Sequence, residues 1–356
     1  MRNQKRIRDY GVEIGKMKPG TLNAITDVEG VTVGHVTLSD GNMQTGVTAI
    51  LPHQGDLFHD KLIASSHVIN GFGKTIGTIQ MAELGTLETP IVLTNTLNVG
   101  TAANAVIDYM LERNPDIGNT TGTVNPVIGE CNDMFLNDVR GRFVKEEHVQ
   151  QALDNTSIEF EEGAVGAGRG MLCYSLKGGI GSASRIVELV HGKYTIGVLV
   201  LSNFGMLSDL TVNGNPVGKE LKKNILQSHE EKDKGSVMVL VATDLPLSER
   251  QLNRILKRAV TGLSRTGSII TNGSGEIVLG FSTANKIPHA KPSQCLAIET
   301  IHEDDMDEAF RAVGEAAEEA VLNSLITAEA VVGREGNTRP ALKELLEKYT
   351  VALRSS

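Results

Sequence analysis

The stretch GSVMVLVA occupies residues 235–242 and follows a charged segment, EEKDK, at residues 230–234. An apolar run of this length, rich in β-branched residues, predicts a buried strand from Val237 to Ala242. Ser236 therefore stands where a solvated loop meets a buried strand. Gly235 lacks a Cβ and can adopt backbone conformations that are closed to other residues. Because Gly-Ser is also a common turn pair, the junction alone favours an ordinary connection between a loop and a strand.

The same junction suits one kind of chemistry. If the peptide bond between Gly235 and Ser236 is cut, Ser236 becomes the first residue of a new chain. Its hydroxyl is then a nucleophile, and its own α-amine is a base beside it. Other segments of the sequence are needed to distinguish this interpretation from an ordinary turn.

Composition limits the classes of function. The chain has 356 residues, of which 40% are hydrophobic, so it is long enough for one large or two ordinary domains with a substantial core. Its net charge of -9 disfavours binding to a nucleic-acid backbone. With 4% aromatic residues and no Trp, it also offers few side chains on which bases could stack.

Cysteine usage and hydropathy point to a cytoplasmic protein without a metal or cofactor. Cys131, Cys173 and Cys295 are far apart, and no CxxC or Cys/His metal spacing accompanies them, so we expect neither a disulfide framework nor a zinc site. No apolar stretch approaches the length of a membrane span, and no apolar segment of a signal peptide follows the basic first residues. We expect no membrane or nucleic-acid partner.

Hydrophobic periodicity predicts grouped strands with helices between and after them. The predicted strands are residues 31–33, 47–51, 91–94, 194–201, 237–242 and 276–281. The predicted helices are residues 101–113, 248–263, 306–325 and 340–353. No repeated strand–helix unit supports a Rossmann fold or a barrel. The pattern favours two β layers covered by helices within a single domain.

Glycine-rich segments invite comparison with phosphate-binding loops. GFGKT at residues 71–75 and GAGRG at residues 166–170 both contain suggestive spacings. Neither matches a P-loop or a dinucleotide-binding fingerprint after a strand. We therefore predict tight turns and close crossings of the chain at these glycines.

Polar side chains beside the predicted strands could serve a nucleophile. Ser274 and Glu276 stand two residues apart, so in an extended chain they share one face and could form a proton relay. Asn203 follows a predicted strand and could donate to an oxyanion. Glu130 and Asp133 flank a Cys-Asn pair and could hold a substrate ammonium group. Each of these segments, taken alone, fits an ordinary turn better.

Taken together and in order, these segments resemble the DmpA-like aminopeptidases. That family comprises the L-aminopeptidase D-esterase/amidases and the β-peptidyl aminopeptidases. The similarity covers nearly all of the chain and centres on GSVMVLVATDLPL at residues 235–247. The other matching segments are residues 26–35, 68–74, 163–170, 177–181, 203–205 and 274–285.

The resemblance implies a fold, a maturation step and an activity. The fold is a four-layer α/β/β/α sandwich, similar to N-terminal-nucleophile hydrolases but with different connectivity. The precursor, a single domain over residues 1–356, would cleave itself into an α chain (1–235) and a β chain (236–356). The family acts on peptides, amides or esters that carry a free amino terminus. It needs no metal and usually forms a homotetramer.

The resemblance also carries over residue by residue. Ser236 matches the nucleophile, and Asn203 matches the oxyanion donor. Ser274 and Glu276 match the hydroxyl–carboxylate pair that orients the nucleophile and its amine.

One loop is expected to contact the substrate. Asp133 lies in the loop that meets the substrate amine in the family, and Glu130 is a second carboxylate there. Phe135 is the residue nearest to the position where the family commonly has Tyr. A hydroxyl contact to the oxyanion is therefore absent or supplied elsewhere. Substrate preference among α-peptides, β-peptides, D-residue amides and esters stays open.

Two alternatives remain open from the sequence. Ornithine acetyltransferases are similar in fold and self-processing, but they place Thr at the new terminus, whereas this chain has Ser236. A non-catalytic member that keeps the fold for assembly is the other alternative.

Overall fold

The computed structural model describes residues 4–224 and 235–353. The charged segment at residues 230–234 lies outside the described residues. The strands are β1 (Thr32–Asp40), β2 (Met43–Leu51), β3 (Asp60–Gly71), β4 (Thr86–Leu87), β5 (Ile91–Asn95), β6 (Val127–Cys131), β7 (Leu172–Cys173), β8 (Leu176–Lys177), β9 (Gly179–Leu189), β10 (Gly192–Asn203), β11 (Ser236–Thr243), β12 (Gly275–Pro288), β13 (Val331–Val332) and β14 (Thr338–Arg339). The helices are α1 (Thr78–Leu84), α2 (Val99–Arg113), α3 (Glu146–Asp154), α4 (Val217–Asn224), α5 (Glu249–Leu256), α6 (Ala259–Arg265), α7 (Met306–Ile326) and α8 (Leu342–Tyr349).

Two sheets form the centre of the molecule. The larger has the strand order β4-β3-β12-β11-β10-β9, and the smaller has the order β1-β2-β5-β6. Strand β11 pairs antiparallel with β10 and parallel with β12, and every one of its residues is buried. Burial on both faces explains why the sequence of this strand is a continuous apolar run rather than an alternating one.

The side chains of β11 divide between two cores. Val237, Val239 and Val241 belong to the core between the larger sheet and the helices α5, α6 and α7. Met238 and Leu240, on the opposite face, belong to the core between the two sheets. A third core lies between the smaller sheet and the helices α2 and α3. The layers are therefore α/β/β/α, and the predicted fold class is confirmed.

Several predicted boundaries differ from the structure. The single helix predicted over residues 248–263 is divided into α5 and α6, because Arg258 N donates to Ile255 O and tightens the chain between them. The last helix ends at Tyr349 rather than at residue 353, because Thr350 adopts a left-handed conformation with φ 52°.

The glycine-rich segment at residues 178–181 leads into the long strand β9, which begins at Gly179. A Cβ added at Gly181 would lie 2.0 Å from Ala320 O of helix α7. Glycine at this position therefore lets the helix lie directly on the strand.

A buried ion cluster joins the same strand and helix. Arg185 of β9 is fully buried, and its guanidinium contacts Glu315 at 3.3 Å and Glu319 at 2.7 Å. Arg8 also binds Glu319, at 2.7 Å. Burial alone would raise the pKa of Glu319, but Arg8 and Arg185 hold that pKa below its ordinary value. The cluster thus holds α7 against the larger sheet through ion pairs between the two arginines and the two glutamates.

Replacing Arg185 by Met should destabilise the fold by about 3–5 kcal/mol, because it leaves buried carboxylates without their cation. Urea denaturation measures the change. The matched control is Lys193→Met, which removes the exposed Lys193–Glu188 pair and should leave the denaturation midpoint almost unchanged. Equal shifts in the two variants would contradict this account of the cluster.

Candidate active site

Three neighbouring strands bring distant residues to one point. Ser236 begins β11 and lies opposite Asn203, the last residue of β10, and opposite Gly275, the first residue of β12. Ser236 is 8% exposed, and its hydroxyl accepts a hydrogen bond from Gly275 N at 3.2 Å. Asn203, which the sequence predicted as a partner of Ser236, thus lies beside it. Ser274, the second predicted partner, directly precedes Gly275, whose N–H group contacts the Ser236 hydroxyl.

The backbone before Ser236 is tightly enclosed. A Cβ added at Gly235 would lie 1.8 Å from Asn203 O, so glycine is required there. The carbonyl oxygen of Gly235 accepts from Gly275 N at 3.3 Å. One N–H group therefore points at both the Ser236 hydroxyl and the carbonyl that precedes it. The sequence gives no sign of this donor, because it is a backbone group between two residues that drew attention for their side chains.

Ser274 and Glu276 form the predicted pair. Both side chains are buried, and the Ser274 hydroxyl donates to the Glu276 carboxylate. Asn70 fixes the backbone of the pair, because its amide nitrogen donates to Ser274 O and, at 3.0 Å, to Thr271 O. The pair flanks Gly275, so it lies next to the N–H group that Ser236 contacts.

The amide of Asn203 has a fixed orientation. Its Oδ1 accepts from Leu172 N at 2.8 Å, and its Nδ2 donates to Asn132 O at 3.1 Å. Because an amide nitrogen carries two hydrogens, a second donor remains for another acceptor. Both ends of the Asn203 amide group are therefore held in one orientation.

Lys177 helps to fix the orientation of the Asn203 amide group, because it binds the backbone segment that contacts this amide. Its side chain is fully buried, and Nζ donates to the carbonyls of Gly168, Met171 and Gly178 at 2.9, 2.7 and 2.7 Å. These three acceptors match the three hydrogens of an ammonium group. Burial lowers the pKa of Lys177 well below its ordinary value. The ammonium holds the segment whose next residue, Leu172, binds Asn203. Sequence reasoning missed this role, although a lone Lys between a hairpin and glycines was a usable signal.

A cavity of about 600 Å³ opens at the site. Gly235 and Asn203 contribute to its wall. Most of the remaining wall is apolar, and it includes Phe72, Met134, Phe135, Leu172 and Phe204. Its volume falls within the range of pockets that hold small ligands, roughly 300–1,000 Å³.

Asp133 lies behind the wall of this cavity. The side chain is 1% exposed and lies under Gly170, and its Oδ1 accepts from Asn137 Nδ2 at 3.0 Å. Its Oδ2 is buried and has no hydrogen-bond partner among the described residues. Burial raises the pKa of Asp133 to about 7. The structure therefore does not bring this carboxylate to the cavity, where the sequence expected a contact with substrate.

Glu130 is also buried, but it is nearer to the nucleophile. Its Oε1 accepts from Lys74 N at 2.9 Å, and the Thr96 hydroxyl donates to its Oε2. The segment 72–74 lies between this carboxylate and Gly275, since a Cβ added at Gly275 would lie 2.6 Å from Phe72 O. Only one stretch of backbone separates Glu130 from the strand end that carries the Ser236 contact.

Phe135 lies in the cavity wall and carries no hydroxyl. Its ring contacts the guanidinium of Arg339, with Cζ at 3.9 Å from the ring centroid. Phe135, which the sequence resemblance places nearest to a Tyr of the family, thus provides an aromatic ring that contacts a cation.

The described residues contain no group of three His, Cys, Asp or Glu side chains that could hold a metal ion. Within residues 4–224 and 235–353, every helix is too short or too polar to cross a membrane.

Comparisons with known proteins agree with this geometry. Residues 23–339 match peptidase family S58. The chain is 38% identical to β-peptidyl aminopeptidase BapA of Sphingosinicella microcystinivorans, with 97% of this chain and 92% of that protein covered.

Solved structures are also similar. A protein of Pyrococcus horikoshii OT3 superposes with a TM-score of 0.92 at 51% identity, covering 96% of this chain and 98% of that one. The L-aminopeptidase D-Ala-esterase/amidase of Ochrobactrum anthropi, described as a variant of the Ntn hydrolase fold, superposes with a TM-score of 0.89 at 36% identity, covering 98% of this chain and 99% of that one. The resemblance inferred from the sequence is confirmed, and the transferase and non-catalytic alternatives are not favoured.

The raised pKa of Asp133 makes stability depend on pH. Between pH 3.8 and about 7 the folded state holds a proton that the unfolded chain has lost, so stability falls as pH rises through this window and levels off above it. Asp133→Asn does not titrate. The unfolding free energy of the wild type minus that of the variant should therefore fall by up to about 4 kcal/mol from about pH 4 to about pH 8. Urea denaturation across this range measures it, and a constant difference would contradict the buried carboxylic acid.

Proposed function

Because the chain belongs to peptidase family S58, we propose that it is a self-processed aminopeptidase whose nucleophile is the hydroxyl of Ser236. The observation that carries the proposal is the shared donor at the start of β11. Gly275 N lies 3.2 Å from the Ser236 hydroxyl and 3.3 Å from the carbonyl oxygen of Gly235. A nucleophile, the carbonyl behind it and a hydrogen-bond donor for that carbonyl are thus held together in one chain.

Maturation follows from this arrangement. The Ser236 oxygen attacks the carbonyl carbon of Gly235, and the C–N bond between the two residues breaks. The product is an ester on Ser236 with a free α-amine, and water hydrolyses that ester. The Gly275 N–H group stabilises the charge that develops on the carbonyl oxygen. The result is an α chain of residues 1–235 and a β chain of residues 236–356 that stay folded as one domain.

Catalysis then uses the new terminus. An unperturbed α-amine has a pKa of about 7.7–8.0, close to a working pH, and can take the proton of the Ser236 hydroxyl. The oxygen attacks the substrate carbonyl, and the second hydrogen of Asn203 Nδ2 stabilises the oxyanion. Losing such a donor typically costs about 10²–10³ in rate. The α-ammonium returns its proton to the leaving group, and water releases the acyl group from Ser236.

The Ser274–Glu276 pair orients the terminus. A buried carboxylate that accepts from a neighbouring hydroxyl holds both in one arrangement. Placed beside Gly275, the pair is suited to receive the protonated α-amine of Ser236 and to keep it near the hydroxyl. A charge-assisted contact of this kind stabilises the ammonium that forms during the reaction.

Both predicted carboxylates, Glu130 and Asp133, are buried and neither lines the cavity, and of the two Glu130 is the better candidate for binding the substrate amine. It lies one backbone segment from Gly275, whereas Asp133 lies behind Gly170. Its oxygens already accept from Lys74 N and Thr96, but an ionised carboxylate has about four acceptor sites and can add an ammonium group. Recognition of a free amino terminus would make the enzyme an aminopeptidase rather than an endopeptidase.

The substrates are peptides, amides or esters, and they are small because the cavity has a volume of about 600 Å³. Homotetrameric assembly and a cytoplasmic location, which the sequence suggested, remain predictions.

Replacing Ser236 by Ala should leave one uncut chain that hydrolyses no aminoacyl p-nitroanilide, because both the attacking oxygen and the new terminus are lost. Denaturing gels and release of p-nitroaniline measure the two effects. Ser208→Ala, a serine outside the cavity, should be cut and active. Normal cutting of the Ser236 variant would overturn the assignment of the nucleophile.

A further inference from the structure

We propose that the buried side chain of Asp133 is a positioning residue of the reaction and acts together with Lys177. Each of the two holds one of the two backbone segments that clamp the Asn203 amide, so that losing either side chain lowers turnover without weakening substrate binding. The inference rests on the proposed function, because Asn203 is the oxyanion donor there.

The Asn203 amide is bound at both ends by backbone atoms. Leu172 N donates to its Oδ1 at 2.8 Å, and its Nδ2 donates to Asn132 O at 3.1 Å. The two contacts come from segments that are far apart in the sequence, residues 168–178 and residues 132–137. A shift of either segment would turn the amide, and the hydrogen that is left for the oxyanion would move with it.

Asp133 fixes the segment at residues 132–137. Its main-chain oxygen accepts from Leu136 N at 3.1 Å and from Asn137 N at 3.0 Å. Its Oδ1 accepts from Asn137 Nδ2 at 3.0 Å, and Asn137 Oδ1 accepts from Gln44 N of β2 at 3.1 Å. The side chain of Asp133 therefore joins this turn to strand β2 through Asn137.

Lys177 fixes the other segment. Its Nζ donates to three main-chain carbonyls, those of Gly168, Met171 and Gly178. The residue that pairs with Lys177 across the short hairpin of β7 and β8 is Leu172, whose N–H group binds Asn203. An apolar side chain in place of Lys177 would withdraw three hydrogen bonds from the segment that presents this N–H group.

The two segments also contact each other. A Cβ added at Gly170 would lie 2.7 Å from Asp133 Cβ and 2.3 Å from Gln44 O. Asp133 is 1% exposed and Lys177 is fully buried, and burial of an ionisable group costs free energy. Among the described residues that line the cavity, neither Asp133 nor Lys177 occurs, whereas Gly170 does. The pair is therefore placed to act on the amide rather than on the substrate.

A double-mutant cycle with Asn203 separates positioning from a purely structural role. Asp133→Ala removes the acceptor of Asn137 Nδ2, and Lys177→Met removes the three donors. Each is made alone and together with Asn203→Ala. Because both residues act through Asn203, each should lower kcat in the wild-type background but not in the Asn203→Ala background. Hydrolysis of an aminoacyl p-nitroanilide gives kcat and KM, and kcat is counted per cut chain on a denaturing gel.

Each single variant should lower kcat by about 10² with KM nearly unchanged, because a misplaced oxyanion donor is felt only in the transition state. Two conservative variants should recover part of the turnover. Asp133→Asn keeps an oxygen that accepts from Asn137, and Lys177→Gln keeps a nitrogen that donates two hydrogen bonds. If Lys177→Met does not fold, Lys177→Gln takes its place in the cycle.

The matched control is Arg185→Met. It also removes a buried cation, but from the ion cluster of α7, and it should keep the kcat of the wild type. All rates are measured at a temperature at which thermal melting shows the variants to be folded.

Four outcomes overturn the positioning role. They are an unchanged kcat in Asp133→Ala, an equal loss with and without Asn203, a loss confined to KM, and an equal loss in Arg185→Met. In each case a low kcat of Asn203→Ala alone shows that the oxyanion donor of the proposed function stands. A wild-type kcat in Asn203→Ala would instead contradict that donor, and absence of all hydrolysis by the wild type would contradict the proposed function itself.

Discussion

The relative register of β10, β11 and β12 is the constraint on which the site depends. It sets Asn203, Ser236 and Gly275 side by side at one end of the larger sheet. A slip of one residue would turn every side chain of β11 to the opposite face and carry Ser236 away from the Gly275 N–H group. Because β11 is buried against helices on one face and against the smaller sheet on the other, such a slip would bring the wrong side chains into both cores.

The sequence could predict the parts of the site that depend on local patterns of residues. The apolar run after Ser236 identified β11, and the two-residue spacing of Ser274 and Glu276 identified their contact, because both signals are local. The N–H group of Gly275 meets Ser236 from a distant segment, and no local pattern encodes that contact. The three carbonyls around Lys177 lie within nine residues of it, but they are backbone groups, which a pattern of side chains does not reveal. Asp133 shows the same limit: its position in the loop was predictable, but its burial depends on Gly170, which is far away in the chain.

The site separates its charges. Lys177 is buried among carbonyls beneath Asn203, and Glu130 and Asp133 are buried behind the wall. Arg339 alone among the described lining residues brings a charge to the cavity. The reacting bond would therefore lie among apolar groups and fixed hydrogen-bond donors, an environment in which a developing oxyanion is stabilised more strongly than in water.

The central claim is that Ser236 becomes a chain terminus and acts there as the nucleophile. Denaturing mass spectrometry of the active wild-type protein tests it most directly. The account predicts two chains that meet between Gly235 and Ser236, with masses that add up to the full chain plus one water. A single intact chain that hydrolyses aminoacyl p-nitroanilides would contradict it, because Ser236 would then act without the α-amine that the mechanism requires.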